Sequence, residues 1–265
     1  MPPPQNEIVL LRELSRDQVS AYRTEGYLIL RGLVGEASLE RLRSEVLEVY
    51  AAWGLDWEAL CRAREAGDKL RLHGEYLAGS TLDRLINSAA LHQIAGQLLD
   101  GPARVYLPFA AIKLAGGGQF HFHQDNQYTR HEPALGSNNN WLALEETTRE
   151  NGCLMLFPRS HQNGTLPFSL SGDGDDHRRI DLDPSKAVPI LLAPGDAVTF
   201  SRLTVHGSGP NRSGRPRLGY AVQFTRDDIR WQAKDDSGGV WQVMRESQPF
   251  NTQPVERLGP KDLGP

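Results

Sequence analysis

The sequence predicts a mainly β protein with an α-helical layer, built on a double-stranded β-helix of the jelly-roll, cupin-like kind. Three observations predict it. From residue 105 the chain breaks into short apolar or alternating runs: RVYLPFAAIKL, FHFHQ, NWLALEET, CLMLFP, AVPILLA, AVTFS and LGYAVQFT. Turn-forming clusters (GGG, NNN, ENG, APGD and NRSGRP) separate them. Helical periodicity is confined to the chain before that point. Many short strands without long helices argue for a β-sandwich or barrel.

In chain order, Ser15 opens a helix that runs to Gly26, and SRDQ has the order of a capping box. YLILRGLV (27–34) is a short apolar run and predicts a strand. Residues 37–54 place Leu39, Leu42, Val46 and Val49 on one helical face, with Gly54 as the stop. Residues 81–101 predict one further amphipathic helix, capped by Thr81 and ended by Asp100-Gly101. The expected organisation is therefore a helical layer over 1–104, a catalytic β core over 105–228 and a C-terminal tail over 229–265. Two long polar stretches, 129–140 and 162–186, are expected to be lids at the barrel mouth.

Composition narrows the function classes. A chain of 265 residues buries a sizeable core without staples. Its net charge of -4 gives no basic face for nucleic acid. Two cysteines, Cys61 and Cys153, are too few for a disulfide framework or a zinc–thiolate cluster. The N-terminus lacks a basic segment followed by an apolar one, and no apolar run approaches the roughly 20 residues that span a bilayer. These features predict a cytoplasmic protein, monomer or homodimer, acting on a small molecule away from membranes.

The chemistry concentrates in GGGQFHFHQDNQY. Alternate residues of an extended strand share a face, so His123 and Asp125 reach one metal together. A third ligand must come from elsewhere, and His206, at the end of a later strand, is the best candidate. Two histidines and a carboxylate on one octahedral face are the ligand set of non-haem iron(II) oxygenases. That set leaves two positions for a 2-oxo acid and one for O2. His121 shares the face of His123 and is expected to line the pocket. Eleven residues after His206 lies Arg217, placed to clamp a carboxylate with two parallel hydrogen bonds. Arg212 and Arg215, in the turn before it, are expected at the surface. The same ligands could instead hold zinc or manganese in a cupin that uses no 2-oxoglutarate, or the barrel could be an inert binding module.

Several segments together resemble the phytanoyl-CoA dioxygenase family of iron/2-oxoglutarate oxygenases, which includes ectoine hydroxylase. They are GGGQFHFHQDNQY, NWLALEETTRENGCLMLFPRSH, VPILLAPGDAVTFSRLTVHGSGPNRSGRPR and YRTEGYLILRGLV, spread over roughly residues 15–228. The resemblance implies Fe(II), 2-oxoglutarate and O2, with His123, Asp125 and His206 as iron ligands. It implies Arg217 on the distal carboxylate of 2-oxoglutarate, Ser208 and Trp141 lining the same pocket, and Gln124 near iron. It implies hydroxylation of an unactivated C–H with release of succinate and CO2, or desaturation, epoxidation or cyclisation at the same site. His161 matches a family histidine and is expected to be structural. The family's Pro-Gly-Ser-His is Pro-Arg-Ser-His here (158–161). Arg159 adopts φ > 0 less readily than glycine and is expected to turn to the site mouth. Substrate contacts are expected from His121, Asn126, Tyr128, Arg130, His131 and Arg159. Halogenating relatives replace the carboxylate ligand by a small residue, so Asp125 disfavours that reaction.

Overall fold

The computed structural model describes residues 7–62, 70, 74–172, 177–233 and 240–259. Helix α1 (Arg16–Glu25) begins as the capping box requires. The Gln18 N–H donates to Ser15 Oγ at 3.2 Å, and the Ser15 N–H donates to Gln18 Oε1 at 2.8 Å. Gly26 ends it at φ 82°, and a Cβ there would lie 2.3 Å from the His161 ring. Strand β1 (Tyr27–Leu30) follows directly. Helix α2 (Glu36–Ala52) buries the predicted face, Leu39, Leu42, Val46 and Val49, and adds Tyr50. A single turn, α3 (Trp57–Leu60), is capped by Asp56.

The helix expected over 81–101 is two helices, α4 (Thr81–Ile86) and α5 (Ala89–Leu99). Asn87 folds its side chain back onto the carbonyl and carboxylate of Asp83, and Ser88 caps α5 by accepting from the Leu91 N–H. Two polar residues that compete for backbone partners thus split one apolar periodicity. The cap of α4 is Ser80 rather than Thr81, with Ser80 Oγ accepting from the Asp83 N–H at 3.1 Å. Asp100 ends α5 in the left-handed region.

Thirteen further strands follow among the described residues. They are β2 (Ala103–Ala110), β3 (Phe120–His123), β4 (Thr129–Glu132), β5 (Ser137–Ala143), β6 (Leu154–Leu156), β7 (Ser169–Leu170) and β8 (Arg178–Arg179). Then come β9 (Val188–Pro189), β10 (Ala197–Ser201), β11 (His206–Ser208), β12 (Gly219–Arg226), β13 (Arg230–Ala233) and β14 (Gln242–Val243). A five-stranded antiparallel sheet runs β1-β10-β5-β12-β2, and a four-stranded sheet runs β3-β11-β6-β9. Together they form the jelly roll.

Alternation sorts the larger sheet into two faces. Trp141, Ala143, Val198, Phe200 and Ala221 meet Leu156 and Ile190 of the smaller-sheet side. Leu142, Tyr220, Val222 and Phe224 point the other way and pack with Leu42, Val46, Ile94 and Leu98 of the helices. The register, Trp141 opposite Ala221 and Leu142 opposite Tyr220, keeps both faces consistent along β5 and β12.

Two sequence readings change here. The NNN cluster is not a turn: Asn138, Asn139 and Asn140 lie in β5, all buried. Asn138 donates to Thr199 Oγ1 and Asn140 to the Val222 carbonyl, so these amide nitrogens are partnered, while Asn139 Oδ1 and Asn140 Oδ1 have no hydrogen-bond partner among the described residues. The 129–140 stretch accordingly contains β4 and the start of β5 rather than a lid. The tail also enters the fold, because β13 pairs with both β14 and β4. Trp231 and Met244 pack there with Tyr106 and Ile229.

Candidate metal centre and cosubstrate pocket

His123 and His206 are direct partners on the neighbouring antiparallel strands β3 and β11. Facing residues of such a pair hold their Cβ atoms about 4.5–5.5 Å apart on one face. The rings accordingly meet, with centroids 4.3 Å apart. The backbone stays extended through Gln124 and turns at Asp125, bringing that carboxylate round to the same side. One ligand atom each from His123, Asp125 and His206 lie within 4.8 Å of one another.

The groups around these side chains decide what they offer. His123 Nδ1 donates to the His121 carbonyl at 2.7 Å, and His206 Nδ1 donates to the Thr204 carbonyl at 3.0 Å. A carbonyl only accepts, so both rings are held with Nε2 as the lone-pair atom facing inward. Burial, with the His206 and His177 rings adding to it, pushes the His123 imidazole well below its usual pKa and keeps that lone pair free. Asp125 Oδ2 accepts from Gln223 Nε2 at 3.2 Å and from Asn139 Nδ2 at 3.4 Å. Its Oδ1 is left 3.5 Å from His206 Nε2 and 4.0 Å from His123 Nε2. Asn139 and Gln223 are themselves cross-strand partners on β5 and β12. Two imidazole lone pairs and one carboxylate oxygen, each fixed from behind, fit a divalent metal with open positions.

Two buried cations, Arg217 and Lys113, are tied to the strand that carries His206, because Lys113 reaches Ser208 on it. Arg217 is 4% exposed, and its main chain pairs with that of Lys113 through N–H···O bonds of 2.8 and 2.9 Å in opposite directions. Its guanidinium donates to the Gly152 carbonyl and sits 5.1 Å from the Trp141 ring centroid. Burial pushes its pKa down to about 10, and Cys153 opposes this only in part. No carboxylate pairs with Arg217 among the described residues, and its Nε has no hydrogen-bond partner there. A buried guanidinium in that state calls for an anion. Lys113, 2% exposed, donates to Ser208 Oγ at 2.7 Å and to the carbonyls of Gly118 and Gly209.

Trp141 is held where it is by Gly219. A Cβ on Gly219 would lie 2.1 Å from the indole ring. Gly219→Ala should therefore dislodge the ring from beneath Arg217. The expected effect is a loss of about 1–2 kcal/mol, or roughly 5–30-fold, in affinity for an anionic ligand of this pocket, with metal affinity unchanged. Parallel titrations of 2-oxoglutarate and metal check it, and equal losses in both would refute it.

Other expected site residues fall differently. Gln124 points away from the metal, as the residue between two that share a face must. Its side chain donates to the Gly164 and Leu203 carbonyls and accepts from the Leu166 N–H, so it anchors the 164–166 segment. Arg159 adopts the left-handed region after all, at φ 63°. Its fork grips Glu25 Oε1 at 2.8 and 3.0 Å, and its N–H donates to the Glu25 carbonyl, which hold it at the end of α1 rather than at the site mouth. Arg130 is exposed and lies over Trp241. His131 is buried against Ser137 and Tyr106, and the side chain of Asn126 accepts from its N–H. These contacts are with one another, Ser137, Tyr106 and Trp241 rather than with the metal-ligand side chains.

His121 and Tyr128 stay beside the ligands. His121 is half-buried two residues before His123, and the Tyr128 ring lies 5.6 Å from that of His123. Arg212 and Arg215 are exposed, and His161 is buried with Nε2 donating to the Arg23 carbonyl. The sequence reading missed Lys113, Asn139, Gln223 and His177. Of these, a lone lysine inside the apolar run RVYLPFAAIKL was the visible signal. His177 arrives from the 162–186 stretch, with its ring centroid 4.6 Å from that of His123 and a hydrogen bond to the Tyr128 hydroxyl.

The chain is similar to several known proteins. The phytanoyl-CoA dioxygenase family profile matches residues 22–219. A methylphosphonate hydroxylase from Gimesia maris is 30% identical over 211 residues, covering 77% of this chain and 78% of that protein. Among solved structures, EvdO2 from Micromonospora carbonacea var. aurantiaca, complexed with 2-oxoglutarate, superposes with a TM-score of 0.65 at 23% identity. That likeness covers 91% of this chain and 98% of EvdO2. The epimerase SnoN, in complex with Fe3+, alpha ketoglutarate and nogalamycin RO, gives 0.65 at 19% identity over 91% of this chain and 98% of its own. A jelly roll with a His-Asp-His cluster at one pole defines a class, the non-haem iron oxygenases. The chain belongs to the phytanoyl-CoA dioxygenase family, and with it to the 2-oxoglutarate-dependent members of that class. No helix among the described residues is long and apolar enough to cross a membrane.

Proposed function

We propose that this protein hydroxylates an unactivated C–H bond of a small molecule, releasing succinate and CO2. In this reading His123, Asp125 and His206 hold Fe(II), and Arg217 takes the distal carboxylate of 2-oxoglutarate. The carrying observation is three converging ligand atoms together with a buried guanidinium that has no carboxylate partner among the described residues. Trp141 stacks beneath that guanidinium, and Lys113 fixes the Ser208 hydroxyl at the pocket wall.

Bound there, Fe(II) with 2-oxoglutarate and O2 supplies the oxidising power, one oxygen atom going to the substrate and one to succinate. The chain's own work is orientation and exclusion of water. The two Nδ1–carbonyl bonds fix the imidazoles, and Asn139 and Gln223 fix the carboxylate. Tyr128 and His177 wall the side of His123, where His121 completes a polar rim. The substrate reading is a small polar or anionic molecule, supported by that rim and by the likeness to a methylphosphonate hydroxylase. The protein would work in the cytoplasm as a monomer or homodimer.

A second outcome at the same site, cyclisation or epimerisation, draws support from solved relatives described as a carbocyclase and an epimerase. Succinate formation from 2-oxoglutarate by anaerobically Fe(II)-loaded protein, started by adding O2, tests the reading. Wild type should release succinate and His206→Ala should not. Tight Fe(II) binding without any 2-oxoglutarate binding would overturn it.

A further inference from the structure

We propose that Arg202 is a positioning residue for the metal-binding carboxylate, acting through Gln223. The inference rests on reading His123, Asp125 and His206 as the metal centre. Arg202 follows β10 and is 2% exposed. One guanidinium nitrogen, Nη2, donates to the main-chain carbonyls of Asp125 and Thr129, both at 2.9 Å. The other, Nη1, donates to Gln223 Oε1 at 2.8 Å. The plane lies over the Tyr106 ring, 5.1 Å from its centroid. No carboxylate pairs with Arg202 among the described residues.

Donor chemistry then dictates the rest. A guanidinium has no acceptor, so the Gln223 amide must turn its oxygen toward Arg202. Its NH2 group necessarily faces the opposite way, where it donates to Asp125 Oδ2 at 3.2 Å. That bond, with the longer one from Asn139, occupies Oδ2 and leaves Oδ1 aimed at the two Nε2 atoms. The same guanidinium holds the Asp125 main chain, so both ends of the ligand are set from one group. Without Arg202 the Gln223 side chain loses its anchor, and only the carboxylate it holds is left to orient its amide. A flipped amide sets oxygen against carboxylate oxygen and turns Asp125 away from the metal. A buried arginine is costly to desolvate, and a methionine would fill similar space without that cost. The charge is therefore better explained by orientation than by packing.

The test is anaerobic titration of apo-protein with Fe(II), and separately with Co(II), for wild type, Arg202→Met, Gln223→Met and the double variant. Thermal melts confirm folding. Each single variant should bind metal about 10–100-fold more weakly. The double variant should be no weaker than the weaker single one, because both break one chain of contacts. The visible absorption of the Co(II) form should shift in both single variants, which a general loss of stability does not produce. A folded Arg202→Met protein with wild-type affinity and spectrum overturns the proposal. If that variant does not fold, Gln223→Met decides alone, since it leaves Arg202 on its two main-chain carbonyls, and unchanged affinity there overturns it too. Turnover is not read, so failure of the 2-oxoglutarate assignment leaves the result standing. Wild type that binds neither metal overturns both readings together.

Discussion

Asp125→Asn should abolish Fe(II) binding as completely as Asp125→Ala. On shape alone, asparagine is the conservative change, and its remaining oxygen could still ligate. The surroundings forbid it. Gln223 Nε2 and Asn139 Nδ2 both point at Oδ2, so an asparagine must put its single oxygen there. Its NH2 group then faces the Nε2 lone pairs of His123 and His206, where the metal belongs. The amide would satisfy those nitrogens without any ion, so the apo-protein should melt no lower than wild type. Losing a charged ligand exceeds the roughly 10–100-fold typical of its supporting partners, so the expected fall in Fe(II) affinity is more than about 100-fold. Anaerobic Fe(II) titration beside a thermal melt measures both halves. Retained binding would mean that the two amides do not hold Oδ2.

Arg217→Met should have two opposite effects. Truncating one partner of a buried charge pair costs about 2–5 kcal/mol, which is roughly 30- to 4,000-fold in affinity for 2-oxoglutarate. Without ligand, however, the guanidinium is buried with no carboxylate partner among the described residues, and burial already disfavours its charged form. Removing it should raise the melting temperature of the apo-protein. Wild type should gain stability as 2-oxoglutarate is added, and the variant should gain none. Arg217→Lys should not restore binding, because a point charge lacks the fork that meets Gly152 and a carboxylate together. An unchanged 2-oxoglutarate affinity in Arg217→Met would remove this residue from the pocket.

The parts of this protein legible in its sequence are those carried by local rules. The capping box at Ser15, the buried stripe of α2 and the strand alternation around His123 each depend on near neighbours in the chain. The metal cluster is legible because His123 and Asp125 lie two apart in an extended segment, and His206 stands at the end of a later predicted strand. Other residues depended on contacts that periodicity does not encode. Three asparagines in a row have turn composition, and only cross-strand partners on β10 and β12 make them a buried strand. Arg159 was misplaced because its partner, Glu25, is more than a hundred residues away. Gln124 was misplaced through family resemblance, although the same alternation that selected its two neighbours sends it to the opposite side.

The C-terminal stretch has a consequence for where this protein can be divided. Composition alone invites a boundary after residue 228, as though the rest were an appendage. Yet Trp231 and Met244 close over Tyr106, and Tyr106 is the surface on which Arg202 rests. Cutting there would uncover the hydrogen-bonding edge of β4 and expose the back of the ring. The tail is thus the outer abutment of a span whose inner end is the Asp125 carboxylate, and the smallest unit that keeps the metal site includes it.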